Sequence, residues 1–334
     1  MPFISLLFDP IAGKTLALVS GIYLSVASMI LISEFTKSAP DHNLRKRFMS
    51  WVVLAFFVLV PLYAGGILFT GLVCLLMLFC ERELLEVVQL SRNQVYKWVV
   101  YISSIAILAV AFLESAPKGV WYDLFAGRPE LAVQSTFPLS GVGPHAFYAV
   151  QVFVILLVLV IRVLPGKHQG TFNQQCATIF SVIYVGSFCG YLVLLRDCTN
   201  GFGFTLLLFS STVLNDILAF WFGRLFGRTL LCPSISPKKT VEGAVGGLLG
   251  SLIACLLFRY AAPGISLEAV LIAGLLVGVT APLGDLVASA IKRDMSVKDF
   301  GTALPGIGGV LDRCDSLLFS IPAFYYYLVL IGQI

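Results

Sequence analysis

The residues best suited to chemistry lie in two polar stretches of the C-terminal half of the chain. The first, GRLFGRTLLCPSISPKKTVEGAVGG, spans 223–247, and the second, SAIKRDMSVKDFGTALPGIGGVLDRCDS, spans 289–316. Their basic residues are Arg224, Arg228, Lys238, Lys239, Lys292, Arg293, Lys298 and Arg313. The acidic residues in and beside them are Asp216, Glu242, Asp285, Asp294, Asp299, Asp312 and Asp315.

This mixture of charges predicts chemistry on phosphate groups. Clustered carboxylates repel one another unless a cation lies among them. Oxygen ligands without His or Cys favour Mg²⁺, which is commonly held by one or two carboxylates together with substrate phosphates. Lysine and arginine side chains neutralise the remaining phosphate charge. A metal, carboxylates and basic residues together are typical of phosphoryl or nucleotidyl transfer.

The spacing within these stretches favours a site. Asp312 and Asp315 are three residues apart and share one face of a helix, and Asp285 and Lys292 share a face two turns apart. Glycines at 301, 306, 308 and 309, with Pro305, would let the backbone approach a substrate closely. The alternative is a solvated loop whose basic residues only set membrane orientation, but that does not explain acidic residues at helix ends.

Other site types receive little support from the sequence. No GxxxxGK[ST] motif occurs, which excludes a P-loop ATPase. The glycines at 243, 246, 247 and 250 have the spacing of small-residue helix packing. The eight cysteines show no C-x-x-C pair, and we expect them to be apolar packing residues. The three histidines do not predict a zinc site.

The composition identifies the elements that must position these residues. Of 334 residues, 58% are hydrophobic and 12% are charged, and the mean hydropathy is +0.94. A soluble domain carries about 25% charged residues. These values exclude a soluble enzyme, a nucleic-acid-binding module and a disordered chain, and they predict an all-α polytopic membrane protein.

Runs of about 20 apolar residues predict the spans. Ten candidates lie at 15–33, 48–64, 66–80, 98–115, 145–164, 175–195, 202–222, 243–260, 266–290 and 314–332. The count falls to nine if 48–80 is one helix kinked near Pro61, and a tight helical hairpin is the alternative. We divide the chain into N-terminal spans with a long external loop, 1–144, and a C-terminal catalytic region, 145–334.

The basic residues predict the orientation of the spans. If the loop at 34–47 is cytoplasmic, ten spans place 17 of the 22 basic residues on that side. We therefore expect an integral multi-pass protein of a bacterial cytoplasmic (inner) membrane, with its charged stretches facing the cytoplasm. Asn215 and Asp216 lie deep in an apolar run, where a charge usually marks function. Residues 81–97 are predicted to form an amphipathic surface helix without a chemical role.

The second stretch resembles the signature of the phosphatidate cytidylyltransferases, also called CDP-diacylglycerol synthases. That signature reads S-x-x-K-R-x-x-x-x-K-D, then P-G-H-G-G, then L-D-R-x-D-S. SPKKTVEG at 236–243 is similar to the family's S-P-K-K-T-x-E-G element. Asp216, Gly223, Arg224 and Gly227 match D-x-x-A-x-x-x-G-R-x-x-G, and 284–286 matches G-D-L. The resemblance covers about 205–320.

The resemblance implies a membrane enzyme that joins CTP to phosphatidate, giving CDP-diacylglycerol and pyrophosphate. It implies Mg²⁺ held by Asp285, Asp312 and Asp315, with room for a second cation, and these three residues with Lys292 as the catalytic set. Substrate phosphates would be met by Asp216, Arg224, Ser236, Lys238, Lys239, Thr240, Glu242, Arg293, Lys298, Asp299, Gly308, Gly309 and Arg313. The expected partners are CTP, phosphatidate and the lipid bilayer, without nucleic acid, and a homodimer is the oligomeric state considered.

One position departs from the family pattern. Ile307 occupies the place of the histidine in P-G-H-G-G. Because a phosphate monoester has its second pKa near 6, the lipid phosphate is already largely ionised at pH 7 and needs little help from a base. We therefore expect activity to persist. The alternatives are a relative that uses another lipid phosphate or a polyprenol acceptor, an impaired paralogue, and a secondary transporter of an anionic solute, whose site would lie near the midplane.

Overall fold

The structure is a computed structural model that describes residues 58–90, 94–115, 145–161, 171–301 and 308–334. Nine α-helices lie in these ranges: α1 Gly66–Val87, α2 Gln94–Ser115, α3 His145–Ile161, α4 Thr171–Ser181, α5 Phe188–Asp197, α6 Gly201–Phe226, α7 Val241–Phe258, α8 Leu267–Asp294 and α9 Leu311–Leu330. Several predicted features lie outside the described residues: the span at 15–33, most of the span at 48–64, the external loop at 116–144 and Ile307.

The helix α1 begins where the predicted span at 66–80 begins, but it ends later than predicted. A helical stretch at 58–64 ends at Gly65, whose φ of +66° is not helical, and α1 begins at Gly66. The break therefore lies at Gly65 and not near Pro61. At its other end α1 continues to Val87, so the predicted surface helix at 81–97 is wrong. Gln89 has a φ of +57°, and a new helix starts at Gln94.

A π-helical segment, Val182–Ser187, joins α4 to α5. Such widened turns interrupt α-helices in short pieces and are frequent at functional sites. Gly186 lies against Ser104 of α2 so closely that a Cβ there would collide with the Ser104 side chain. The π-segment therefore brings the middle of this span into direct contact with α2.

The C-terminal helices α6 to α9 pack through small residues. A Cβ on Gly247 of α7 would lie 2.8 Å from the Asn215 Oδ1 atom of α6, and a Cβ on Gly250 would collide with the Leu214 backbone. Gly246 likewise lies against the Phe222 side chain. The predicted small-residue packing of these glycines is confirmed, since absent side chains let the two helices approach closely.

The all-α prediction needs one correction. Strands β1, Leu230–Cys232, and β2, Ser236–Thr240, form an antiparallel hairpin between α6 and α7, with Leu230 opposite Thr240. Pro233 and Pro237 disfavour helix in this stretch. Thr240 ends the hairpin and begins α7, because its hydroxyl accepts a hydrogen bond from the Gly243 amide at 3.1 Å.

The protein is an integral membrane protein by the length and apolar character of its helices. Five described segments are long and apolar enough to cross a membrane: Gln94–Glu114, Phe172–Asp197, Gly201–Phe226, Val241–Ala261 and Leu267–Asp294. Large side chains such as Phe153 and Phe220 are exposed on these and neighbouring helices, as expected for a surface that faces apolar lipid tails. The full count of ten spans stays a prediction.

Candidate active site

Three elements bring the predicted residues together: β2, the C-terminal half of α8 and the first turns of α9. The Lys239 Nζ atom of β2 lies 2.7 Å from the Asp285 Oδ2 atom of α8. The same ammonium donates a hydrogen bond to the Pro282 carbonyl at 3.3 Å. The hairpin is thus fastened to α8 by one of its predicted substrate-binding lysines.

Pro282 shapes this part of α8. A proline has no N–H, so the carbonyl four residues earlier loses its helical donor. Asn215 of α6 supplies a replacement, because its Nδ2 atom donates to the Gly278 carbonyl at 3.3 Å and to the Ser251 hydroxyl at 3.0 Å. The buried Asn215 amide therefore joins α6, α7 and α8 next to Asp216, and this explains a polar residue deep in an apolar run.

A second ion pair links α8 to α9. The Lys292 Nζ atom lies 2.7 Å from the Asp312 Oδ1 atom, and the two side chains are 11% and 7% exposed. The Phe300 ring covers the Lys292 ammonium, with 5.1 Å between the nitrogen and the ring centroid. Buried charges of this kind depend on each other, because either alone would be desolvated without compensation.

The other oxygen of Asp312 organises the loop before α9. Asp312 Oδ2 accepts hydrogen bonds from the Phe300 amide at 2.9 Å and from the Gly309 amide at 3.2 Å. Gly308 has a φ of +106°, a backbone conformation that favours glycine. Both Asp312 oxygens are therefore already engaged by protein donors.

Asp216, Asp285 and Asp315 form the acidic part of the site. Asp315 is 5% exposed, and its Oδ1 atom accepts a hydrogen bond from the Ser316 amide at 2.7 Å. The charge of Asp285 acts on both Asp315 and Asp216, and Lys292 and Lys239 oppose this repulsion. We call Asp216, Lys239, Asp285, Lys292, Asp312 and Asp315 the charged cluster.

The fit of the charged cluster to a metal ion is partial. Within the ranges that the structure describes, no group of three or more His, Cys, Asp or Glu side chains has the spacing to hold one ion. Asp312, a predicted ligand, is occupied by Lys292 and two amides. Asp285 is engaged too, because its Oδ2 atom pairs with Lys239 and its Oδ1 atom accepts a hydrogen bond from the Ser289 hydroxyl. Mg²⁺ at Asp285 and Asp315 would therefore share Asp285 with these donors, and two carboxylates are within the number that it commonly takes from protein when phosphates complete its shell.

Some of the other predicted residues hold the hairpin in place, others are exposed around the cluster, and Arg293 does both. Glu242 accepts hydrogen bonds from the Arg228 and Thr229 amides at 3.1 and 3.2 Å, so it holds the chain entering the hairpin. Arg293 donates to the Ile235 carbonyl at 3.3 Å and ties the hairpin to α8. The exposed side chains around the cluster are Arg224, Lys238, Arg293, Lys298, Asp299 and Arg313, and Ser236 is half-buried.

Sequence reasoning missed Glu83 on α1. This side chain is 4% exposed, and its two oxygens accept hydrogen bonds from the Val310 and Leu311 amides at 3.0 and 2.9 Å. A length signal was present, because the 15-residue run at 66–80 is short for a span. A helix that continues to Val87 has 22 residues, and it places Glu81 and Glu83 inside the protein.

Comparison with known proteins gives one family over most of the chain. The family model described as the cytidylyltransferase family matches residues 45–331. The phosphatidate cytidylyltransferase of Staphylococcus saprophyticus is 32% identical over 279 residues, which cover 83% of this chain and 96% of the relative. That of Bacillus subtilis (strain 168) is 38% identical over 184 residues, 54% of this chain and 68% of the relative.

A further relative has no activity in its name. The uncharacterized protein YnbB of Escherichia coli (strain K12) is 37% identical over 178 residues. The match covers 52% of this chain and 60% of that protein.

Proposed function

The chain belongs to the cytidylyltransferase family and is a nucleotidyltransferase, and from that premise we propose that it condenses CTP with phosphatidate to give CDP-diacylglycerol and pyrophosphate. The observation that carries the proposal is the charged cluster, in which residues from three ordered motifs meet through the Lys239–Asp285 and Lys292–Asp312 pairs. The relatives named phosphatidate cytidylyltransferase support the choice of substrates.

The proposed reaction is a displacement at phosphorus. A phosphate oxygen of phosphatidate forms a bond to the α-phosphorus of CTP, and the bond from that phosphorus to the oxygen bridging toward the β-phosphate breaks. Pyrophosphate leaves with the electron pair of the broken bond. Since the attacking phosphate is largely ionised at neutral pH, the protein has to align the two phosphates and offset their charge rather than remove a proton.

The charged side chains have separate proposed tasks. The exposed residues Lys238, Lys298 and Arg313 surround the cluster and would bind the outer phosphates. Lys239 and Lys292 are held in place by carboxylates and would face the phosphates nearest the reacting bond. Asp285 and Asp315 would hold Mg²⁺, which would supply further positive charge against the phosphates.

The proposed location is a bacterial cytoplasmic membrane with the site on its cytoplasmic side. This placement depends on the distribution of basic residues along the sequence. It agrees with the chemistry, because CTP is a cytoplasmic solute and phosphatidate is a membrane lipid.

A second candidate keeps CTP and changes the acceptor. Ile307 replaces a histidine of the family signature, next to the Gly308–Gly309 segment that Asp312 organises. A change at this point favours an altered acceptor, such as another lipid phosphate or a polyprenol, over a loss of the nucleotide site. Assays with several acceptors separate the two candidates.

The test is transfer of label from CTP into lipid. Purified protein in detergent is incubated with radiolabelled CTP, Mg²⁺ and phosphatidate, and the organic phase is counted. We expect labelled lipid from the wild type, loss with EDTA, and at least about a 100-fold decrease with Asp285→Asn. The exposed Asp294→Asn, at the end of the same helix, is the control and should retain activity. Folded wild type that labels no phosphatidate would refute the proposal, and label in another acceptor would replace it.

A further inference from the structure

We propose that Glu83 is a positioning residue for the transfer reaction, holding the start of α9 so that the charged cluster keeps its geometry. The inference rests on the proposed function for its catalytic readout. Its structural basis is separate: Glu83 lies on α1, 227 residues before the first amide that it binds. None of the family motifs identified in the sequence includes this residue.

The start of α9 needs an acceptor from elsewhere in the chain. The first amides of a helix have no acceptor within it, and a polar residue at the helix start usually supplies one. In α9 that position is Val310, which has no side-chain cap. Glu83 supplies two of these acceptors, with one carboxylate oxygen for the Val310 amide and the other for the Leu311 amide. Its negative charge also suits the positive end of the helix dipole.

The neighbouring backbone is fitted around this carboxylate. A Cβ on Gly301 would lie 2.5 Å from Glu83 Oε1, and a Cβ on Gly309 would lie 2.5 Å from Glu83 Oε2. Separations this short would force movement, so both positions suit glycine. Residues on the two sides of the 302–307 segment therefore close on one side chain of α1.

The contact passes directly to the charged cluster. Leu311 precedes Asp312, whose carboxylate accepts from the Phe300 and Gly309 amides and pairs with Lys292. Glu83 and Asp312 together accept hydrogen bonds from four amides in the loop and at the start of α9, those of Phe300, Gly309, Val310 and Leu311. If Glu83 releases the start of α9, Asp312 loses its fixed position relative to Lys292. Since displacements of about 1 Å can cost 100-fold in rate, a residue that touches no substrate can control the reaction.

The main test compares two glutamates of the same helix. Glu83→Gln keeps the shape of the side chain but leaves one acceptor where there were two. We expect kcat to fall by about 10- to 100-fold, while KM for CTP changes by less than about threefold because the exposed phosphate-binding residues remain. Glu86→Gln is the control, since Glu86 is exposed and pairs only with Arg82 among its described contacts. It should retain wild-type kcat.

A second readout does not depend on activity. Hydrogen exchange at the Val310 and Leu311 amides should be about five- to tenfold faster in Glu83→Gln, the factor expected for a weakened hydrogen bond. Wild-type kcat, or wild-type exchange at both amides, would overturn the inference. If the wild type itself transfers no label to phosphatidate, the proposed function fails, and the exchange rates still decide whether Glu83 holds α9.

Two glycine substitutions test the same role if Glu83→Gln does not fold. Gly301→Ala pushes a methyl group against Glu83, whereas Gly71→Ala adds one on α1 where nothing lies within 4 Å. We expect a kcat decrease of the same order for Gly301→Ala and none for Gly71→Ala. Equal activity of the two variants would contradict the proposed role.

Discussion

The charged cluster and the N-terminal helices both contain buried polar groups, but the two regions differ in whether those groups are paired. In the cluster, Lys239 and Lys292 each lie 2.7 Å from a carboxylate. In the N-terminal helices, Glu81 and the Ser104 hydroxyl are buried, and within the described part of the chain neither has a hydrogen-bond partner. Polar groups are therefore paired in one region and buried without a partner among the described residues in the other.

This difference follows the positions of the sequence motifs. The paired charges lie in the motifs that resemble the family pattern, whereas the unpaired groups lie outside those motifs. Glu83 is the exception, since it lies in the N-terminal helices but binds the loop of the cluster. Variants that remove one partner of a pair, or one unpaired group, measure how each contributes to the stability of the fold.

The largest effect is expected from breaking the Lys292–Asp312 pair. Lys292→Met leaves the Asp312 carboxylate buried without its cation, and removal of one member of a buried pair costs about 3–5 kcal/mol. The measurement is thermal unfolding in detergent, with label transfer alongside. Tm should fall by many degrees and transfer should be lost.

Two comparisons sharpen this prediction. Adding Asp312→Asn to Lys292→Met should recover part of the stability without activity, because the uncompensated charge is gone. Arg82→Met breaks a pair whose side chains are 66% and 52% exposed, and it should leave Tm unchanged. A Tm for Lys292→Met as high as that for Arg82→Met would show that the pair does not stabilise the protein.

A smaller effect is expected from the uncharged support beneath the cluster. Asn215→Leu removes the donor that serves the Gly278 carbonyl beside Pro282, and a buried polar group left without a partner costs about 1–3 kcal/mol. Thermal unfolding in the same detergent measures the loss. Pro282→Ala restores a backbone N–H, so in the double variant the cost of Asn215→Leu should shrink. Additive effects of the two substitutions would contradict this account.

Much of the site was predictable from sequence order, but its pairings were not. Helical spacing correctly places Asp285 and Lys292 on α8. It predicts that they share a face of the helix, but it does not identify the residue with which each forms an ion pair. Each residue pairs with another element, β2 or α9. Asp312 was predicted as a metal ligand, and only the fold reveals that the Phe300 and Gly309 amides reach its second oxygen.

The fold itself was predictable where apolar runs are long. The observed helices α6 to α9 begin within about three residues of the predicted spans, because burial in lipid demands continuous apolar sequence. The hairpin was missed because two short strands leave no periodic signal over eleven residues that include two prolines. Glu83 was missed because its partners are distant in the sequence, and such contacts become visible only after the chain has folded.

The smallest effect, with the opposite sign, is expected at Glu81. Its carboxylate is fully buried, and Ser104 lies nearby without hydrogen-bond geometry. Replacing an unpartnered buried polar group by an apolar one removes a desolvation penalty, so Glu81→Met should leave Tm equal to or slightly above that of the wild type. Glu83→Met, two residues away, orphans two amides and should lower Tm by several degrees, about 1–3 kcal/mol for each amide. A large loss of stability at Glu81 instead would mean that its carboxylate is bound to a group that pairs with it, and the contrast between the two regions would no longer hold.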